Sequence, residues 1–159
     1  MHKKILIVCY SQSGNTYKIA CGIQKQTGGE LCGIFPRQPY PMDYDSLLKQ
    51  AKNEIKMGFI PHLLPISQDP AEYDVIFAGT PNWCDTAAPP LTAFFKKYKL
   101  KGKIIVPFCT HGGGGSGHIF KDIAGLCRGC EIKEGFSVNG RVSNVGKDIS
   151  EWLKGLELL

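Results

Sequence analysis

Ile5-Leu6-Ile7-Val8-Cys9-Tyr10-Ser11-Gln12-Ser13-Gly14-Asn15-Thr16 passes from an unbroken apolar run straight into a polar loop. A short, β-branched run without alternation reads as a strand covered on both faces, as in a parallel sheet between helices. Val75-Ile76-Phe77-Ala78 and Ile104-Ile105-Val106 repeat the pattern, and weaker strands fit Glu30–Phe35 and Glu131–Val138. Helical spacing fills the gaps. Thr16, Ile19, Ala20 and Ile23 share one face, and Gly28-Gly29 stops that helix. Tyr44, Leu47, Leu48, Ala51 and Ile55 make the next stripe. A shorter helix from about Pro90 to Tyr98 begins at Pro89-Pro90, where proline is tolerated. Ile119, Ile123, Leu126 and Cys127 mark a fourth. Val145, Ile149, Trp152, Leu153 and Leu156 mark a fifth, with Asn144 as N-cap. Met57 to Ala71, with Pro61, Pro65 and Pro70, reads as a loop. Strands alternating with helices predict a doubly wound α/β domain, whose ligand sits beyond the carboxyl ends of the strands.

The 159 residues suit a single domain, 1–159, large enough for a proper core. A hydrophobic share of 43% and a charged share of 21% exclude disorder, collagen and coiled coil. No apolar run approaches the roughly 18 residues of a membrane span. Met1-His2-Lys3-Lys4 followed by the first strand imitates a signal peptide, but the apolar part is too short, which predicts a cytoplasmic protein. The seven cysteines are odd in number and mostly in apolar or helical settings, which predicts reduced thiols. Cys127-Arg128-Gly129-Cys130 closes a helical pattern instead of opening one, unlike a redox motif, and has no second ligand pair for zinc. The net charge of +5 resides in one knot: Lys96, Lys97, Lys99, Lys101 and Lys103, with no acid among them.

The loops after the strands carry the chemistry. Ser11 to Thr16 offers amides at a helix N-terminus with three hydroxyls and two carboxamides, suited to a phosphate monoester without lysine or arginine. A phosphatase using Cys9 would need arginine where Asn15 stands. A response regulator would need aspartate where Gly79-Thr80 ends the third strand, and a P-loop would need Gly-Lys-Ser/Thr. Trp83, in the loop after the third strand, suits either half-buried packing or a stacking surface. After the fourth strand, Thr110-His111-Gly112-Gly113-Gly114-Gly115-Ser116-Gly117 presents bare backbone that can approach a flat heterocycle. Gly112, Gly114 and Gly117 fit GxGxxG, but a dinucleotide fingerprint belongs to the first strand–helix unit. Together the three loops describe a site for a phosphorylated, planar heterocycle.

On these residues the chain resembles a short-chain flavodoxin over nearly its whole length. The resemblance rests on Tyr10-Ser11-Gln12-Ser13-Gly14-Asn15-Thr16, Gly79-Thr80-Pro81-Asn82-Trp83, Leu100-Lys101-Gly102-Lys103 and Pro107-Phe108-Cys109-Thr110-His111-Gly112-Gly113, with Tyr40-Pro41-Met42-Asp43-Tyr44 in support. It is most similar to a subgroup with a threonine-histidine-glycine-glycine loop. The resemblance implies a three-layer sandwich around a five-stranded parallel sheet in the order 2-1-3-4-5, and it implies bound FMN. Ser11, Gln12, Ser13, Gly14, Asn15 and Thr16 would then hold the phosphate. Thr80, Pro81, Asn82 and Trp83, with Cys84 beside them, would line the ring system. Thr110, His111, Gly112, Gly113 and Gly114 would meet its pyrimidine edge. Two features depart from the family's pattern: no glycine lies between Pro81 and Ala88, and the chain is not acidic.

Two classes of function follow. An electron carrier would exchange electrons with a reductase and an acceptor protein, without nucleic acid or membrane insertion. It fits a sequence with no evident unit for NAD(P)H and no proton-handling pair. An FMN-dependent NAD(P)H oxidoreductase acting on quinones or flavins is the alternative, for which His111 and the glycine run leave room. A basic module without flavin would rest only on the lysine knot, itself explained as the favourable cationic end of a helix.

Overall fold

The computed structural model describes residues 2–158. Its elements are β1 (Ile5–Cys9), α1 (Asn15–Thr27), β2 (Glu30–Gly33), α2 (Tyr44–Met57), a 3-10 turn (Pro70–Glu72) and β3 (Val75–Trp83). Then come β4 (Thr86–Ala87), α3 (Pro89–Lys97), β5 (Ile104–His111), α4 (Ile119–Leu126), β6 (Glu131–Ile132), β7 (Phe136–Asn139) and α5 (Gly146–Leu156). The parallel sheet runs β2-β1-β3-β5, and β6 and β7 both lie beside β5. This is the expected order, with the fifth strand in two pieces. At the break the backbone of Gly135 passes against the Phe120 ring, where a Cβ would lie 2.6 Å from it. The remaining strand, β4, pairs antiparallel with the end of β3.

Strand alternation divides the core. Leu6, Val8, Ile76, Ala78, Ile105 and Cys109 face one side, packed with Leu91 and Phe94 of α3 and Ile119 and Ile123 of α4. Ile7, Cys9, Phe77, Val106 and Phe108 face the other, packed with Ile19 and Ile23 of α1 and Ile149 of α5. Because both faces are covered, the strands need no polar alternation. Trp152 of α5 stacks on Phe136 at 5.0 Å and stands edge-on to Phe77 at 5.7 Å, closing the second layer.

Three local expectations are corrected. Val145, not Asn144, takes the position before α5, and no side chain caps that helix. In α2 only Ala51 is buried, and Tyr44 is exposed, so the helix covers the sheet lightly despite its stripe. Thr80–Trp83 is strand, not loop: β3 runs on into a hairpin with β4. The lysines gather at the amino ends of the strands, where Lys103 donates to the carbonyls of Ala71 and Tyr73 and Lys4 Nζ lies over the Tyr73 ring. All seven cysteines are free thiols. Among the described residues no helix is long and apolar enough to cross a membrane.

Candidate cofactor-binding site

Strands β1, β3 and β5 are consecutive neighbours, so the loops at their carboxyl ends emerge side by side. Ser11 shapes the first loop: its Oγ accepts from the amides of Gly14 (3.1 Å) and Tyr17 (3.2 Å). Lys18 N–H bonds the Gly14 carbonyl, which starts α1. No hydrogen bond within the described residues engages the amides of Gln12, Ser13, Asn15 and Thr16. Unpaired donors at a helix N-terminus suit an anion. Gln12 does not belong wholly to that cradle. Its side chain accepts from Tyr10 Oη at 2.5 Å and donates to the Pro41 carbonyl at 3.1 Å, which fixes the loop's outer wall.

The second loop is the hairpin. Thr80, fully buried, donates to the Pro81 carbonyl and accepts from Ala88 N–H, both at 2.8 Å, locking the start of α3 to the strand. Asn82 Oδ1 accepts from Asp85 N–H across the turn. Cys84 and Asp85 hold φ of 55° and 67°, the left-handed pair that a two-residue hairpin of this hand requires. Trp83 is half-buried and stands edge-on to Tyr10 (5.5 Å) and Tyr40 (4.9 Å). Burial pushes the Tyr10 and Tyr40 phenols up from their ordinary value, and for Tyr40 a bond to Glu54 adds to it. Both rings therefore stay neutral, and the aromatic wall carries no charge of its own.

The third loop is held in its own turn and to its neighbours. His111 Nδ1 accepts from Gly113 N–H at 3.0 Å, so His111 serves as a turn-former and meets no nucleophile. Thr110 shares a buried 2.8 Å hydroxyl contact with Thr16, joining the first and third loops. Asn82 Nδ2 donates to the Gly115 carbonyl at 2.7 Å, and His118 N–H donates to the Asp85 carbonyl at 2.8 Å, joining the second and third. Gly117 makes that second junction possible: a Cβ there would lie 2.6 Å from the Asp85 oxygen, and its φ is +52°. A Cβ on Gly112, Gly113, Gly114 or Gly115 would meet nothing within 4 Å, so that backbone is open on its outer side.

The three loops are thus tied to one another, and the donors they leave over fit a phosphorylated, planar group. Cys9 is excluded as a nucleophile: it is buried, and burial pushes its thiol up to about 12. Among the described residues no set of three His, Cys, Asp or Glu side chains is placed to hold a metal ion. Buried side-chain nitrogens and oxygens in the described chain all find partners, so the site is polar without internal strain from orphaned groups.

Two residues escaped the sequence reading, which expected no proton-handling pair. His118 Nδ1 lies 2.5 Å from Asp122 Oδ2, and Thr86 Oγ1 donates to the same oxygen at 2.5 Å. Their i,i+4 spacing on one helix face was the available signal. Nothing in the sequence showed that β4 would deliver Thr86 to the same carboxylate.

No curated protein matches the chain. Among solved structures, a Bacteroides eggerthii protein provisionally described as a flavoprotein is 31% identical over 98% of both chains, with a TM-score of 0.83. A Bacteroides uniformis protein with the same provisional description is 23% identical, covering 97% of this chain and 99% of its own, at TM-score 0.84. A Lactobacillus acidophilus flavoprotein solved in complex with FMN is 22% identical over 95% of this chain and 99% of its own, at TM-score 0.76. The family model described as flavodoxin matches residues 4–156, and with its sheet ordered β2-β1-β3-β5-β6 the chain belongs to the flavodoxin family.

Proposed function

We propose that this protein binds FMN at the carboxyl edge of β1, β3 and β5 and works as an electron-transfer flavoprotein between redox partner proteins. The observation that carries the reading is the Ser11–Thr16 loop, whose amides at Gln12, Ser13, Asn15 and Thr16 have no partner in the described chain. A phosphate there meets converging N–H donors and the helix dipole, and no side-chain cation is needed. The open glycine backbone from Gly112 to Gly115 would meet the heterocycle's edge, and Trp83, backed by the buried Tyr10 and Tyr40 rings, would flank it. FMN would supply redox chemistry that no side chain here possesses. The protein's part is to bind it, exclude water from one side and set its electrostatics. Lys3, Lys4, Lys99, Lys101 and Lys103 lie near the amino ends of the strands, away from the proposed cofactor, so they would not hold its phosphate.

The relative solved with FMN and the family membership support this reading. Titrating the flavin-free chain with FMN should quench flavin fluorescence at one equivalent, whereas riboflavin, lacking the phosphate, should bind at least tenfold more weakly. Equal binding of the two would remove the phosphate cradle from the account.

A specific observation favours the second reading, an FMN-dependent NAD(P)H oxidoreductase: the His118–Asp122–Thr86 array beside the hairpin. The two separate cleanly. Under anaerobic conditions NADPH or NADH alone leaves a carrier yellow within minutes, while the oxidoreductase bleaches at once.

A further inference from the structure

Cys127 and Cys130 are neighbouring nucleophiles that the binding of FMN leaves unused. They are the first and fourth residues of a turn that follows α4, closed by Cys130 N–H donating to the Cys127 carbonyl at 3.1 Å. Gly129 holds φ of 82° in that turn. A turn of this kind keeps its end Cα atoms within about 7 Å, and a disulfide spans about 4.4–6.8 Å. The two sulfurs meet inside the turn, where the Cys127 thiol hydrogen-bonds Cys130. The turn is also docked on its neighbour at the start of β5. Cys130 Sγ donates to the Leu100 carbonyl at 3.0 Å, Gly102 N–H donates to the Gly129 carbonyl at 2.8 Å, and the Lys101 side chain lies over Gly129. Cys127 is buried and Cys130 half-buried, and both line a cleft of about 440 Å³. Lys96, Lys99, Lys101 and Arg128 share that lining, and no acid does. Glu131, next in the chain, has its carboxylate paired with Lys133 at 2.8 Å.

We propose that Cys127 and Cys130 form a reversible dithiol–disulfide site, oxidised by an anionic low-molecular-weight disulfide that enters the basic cleft. The site lies at the amino end of β5, whereas the cofactor loops lie at the carboxyl ends, so the proposal stands apart from the FMN reading. Cys130 is the attacking thiol, being the more exposed of the two. Burial pushes both thiols up, but at Cys130 the Lys103 amide and charge and the Cys127 hydrogen bond act against it. The Cys130 thiolate attacks one sulfur of the small disulfide. A mixed disulfide forms, and the other half leaves as a thiolate that takes up a proton. Cys127 then gives its proton to solvent and attacks Cys130 Sγ, forming the protein disulfide and releasing the second small thiol. Two protein thiols have lost two electrons and two protons, and the small disulfide has gained them as two thiols. The pair closes a helix, so the helix dipole does not stabilise a thiolate. Strongly oxidising pairs depend on a stabilised reduced form, so this pair favours its disulfide by comparison.

The test incubates the reduced full-length chain with glutathione disulfide in mildly alkaline buffer and follows it by mass spectrometry with peptide mapping. In the wild type the Cys127 and Cys130 peptides should become joined, with the loss of two hydrogens and no lasting glutathione adduct on either, and dithiothreitol should restore both thiols. Peptide mapping keeps this apart from adducts on the other cysteines. Cys127→Ser should instead trap glutathione on Cys130, because nothing is left to displace it. Cationic cystamine provides the comparison of charge. At low ionic strength glutathione disulfide should close the pair about tenfold faster than cystamine, the lower end of electrostatic steering. That preference should shrink in high salt and in the Lys99→Glu, Lys101→Glu double variant, whose changes lie on the exposed rim. Free thiols at both positions after prolonged incubation, or a persistent glutathione adduct on Cys130 of the wild type, would overturn the proposal without any variant having to fold. Equal rates with the two small disulfides at low salt would overturn the assignment of an anionic oxidant. FMN titration before and after oxidation should give affinities within about threefold, since site and cofactor loops lie at opposite ends of the sheet.

Discussion

Trp83 stands where two roles meet, since its ring is edge-on to Tyr10 and Tyr40 while its remaining surface is open. Replacing it with alanine removes a flat surface beside the loops without touching the phosphate cradle. Trp83→Ala is expected to weaken FMN binding by about 1–3 kcal/mol, the scale of base–aromatic stacking. Calorimetric titration with FMN checks this, and an unchanged affinity would assign the ring to packing alone. At this scale the sequence was legible wherever function lies in the chain's own order. Ser11, Gly14 and Asn15 sit in one loop, and their part in capping or baring a helix end is local. Gln12 was less so, because its carboxamide answers to Tyr10 and Pro41, the latter 29 residues away. The same holds for His118: its partner Asp122 is one helical turn on, but Thr86 comes from 32 residues earlier.

Among the elements, the hairpin β3–β4 and the turn into α4 form one unit. Gly117 lies against the Asp85 backbone, and His118 N–H bonds the Asp85 carbonyl. A methyl group at position 117 would meet that carbonyl at 2.6 Å in a backbone region that disfavours L side chains. Gly117→Ala should therefore lower stability by about 1–3 kcal/mol, as overpacking does, and separate the two loops. Urea denaturation measures the first effect, and a parallel loss of FMN affinity reports the second. The buried, unalternating strands were plain from composition because both faces of the sheet are covered. The hairpin was not, because Cys84 is an unusual residue for a left-handed position and the Cys84-Asp85 pair escapes a search for Asn-Gly or Asp-Gly. The split of the last strand falls where Gly135 passes against the Phe120 ring, a tertiary contact that the apolar pattern does not show.

For the molecule as a whole, two properties set its response to conditions. Burial pushes the thiols of Cys9 and Cys127 up to about 12 and that of Cys32 to about 11, against an ordinary value of 9.0. In each case the folded chain holds its proton more tightly than the unfolded chain. This stabilisation is complete below pH 9 and is lost as pH rises from about 9 toward 12. The melting temperature should consequently hold level to about pH 8.5 and fall between pH 9 and 11, as calorimetry would record, and a Cys9→Ser, Cys127→Ser double variant should show a shallower fall. The second property is polarity of charge. The lysine knot and the lysines before β1 and β5 cluster at the amino ends of the strands, and the candidate site lies at the carboxyl ends. Lys3, Lys4, Lys99, Lys101 and Lys103 are thus remote from the site.

The central claim is that the loops after β1, β3 and β5 form one site for FMN. Its most direct measurement is equilibrium titration of the purified, flavin-free chain with FMN, followed by flavin fluorescence, beside a Thr16→Val, Thr110→Val double variant. That variant replaces the buried hydroxyl pair joining two of the loops. The account predicts saturation at one FMN per chain for the wild type and at least tenfold weaker binding for the variant. FMN that fails to bind the wild type, or binds both proteins equally, would contradict it.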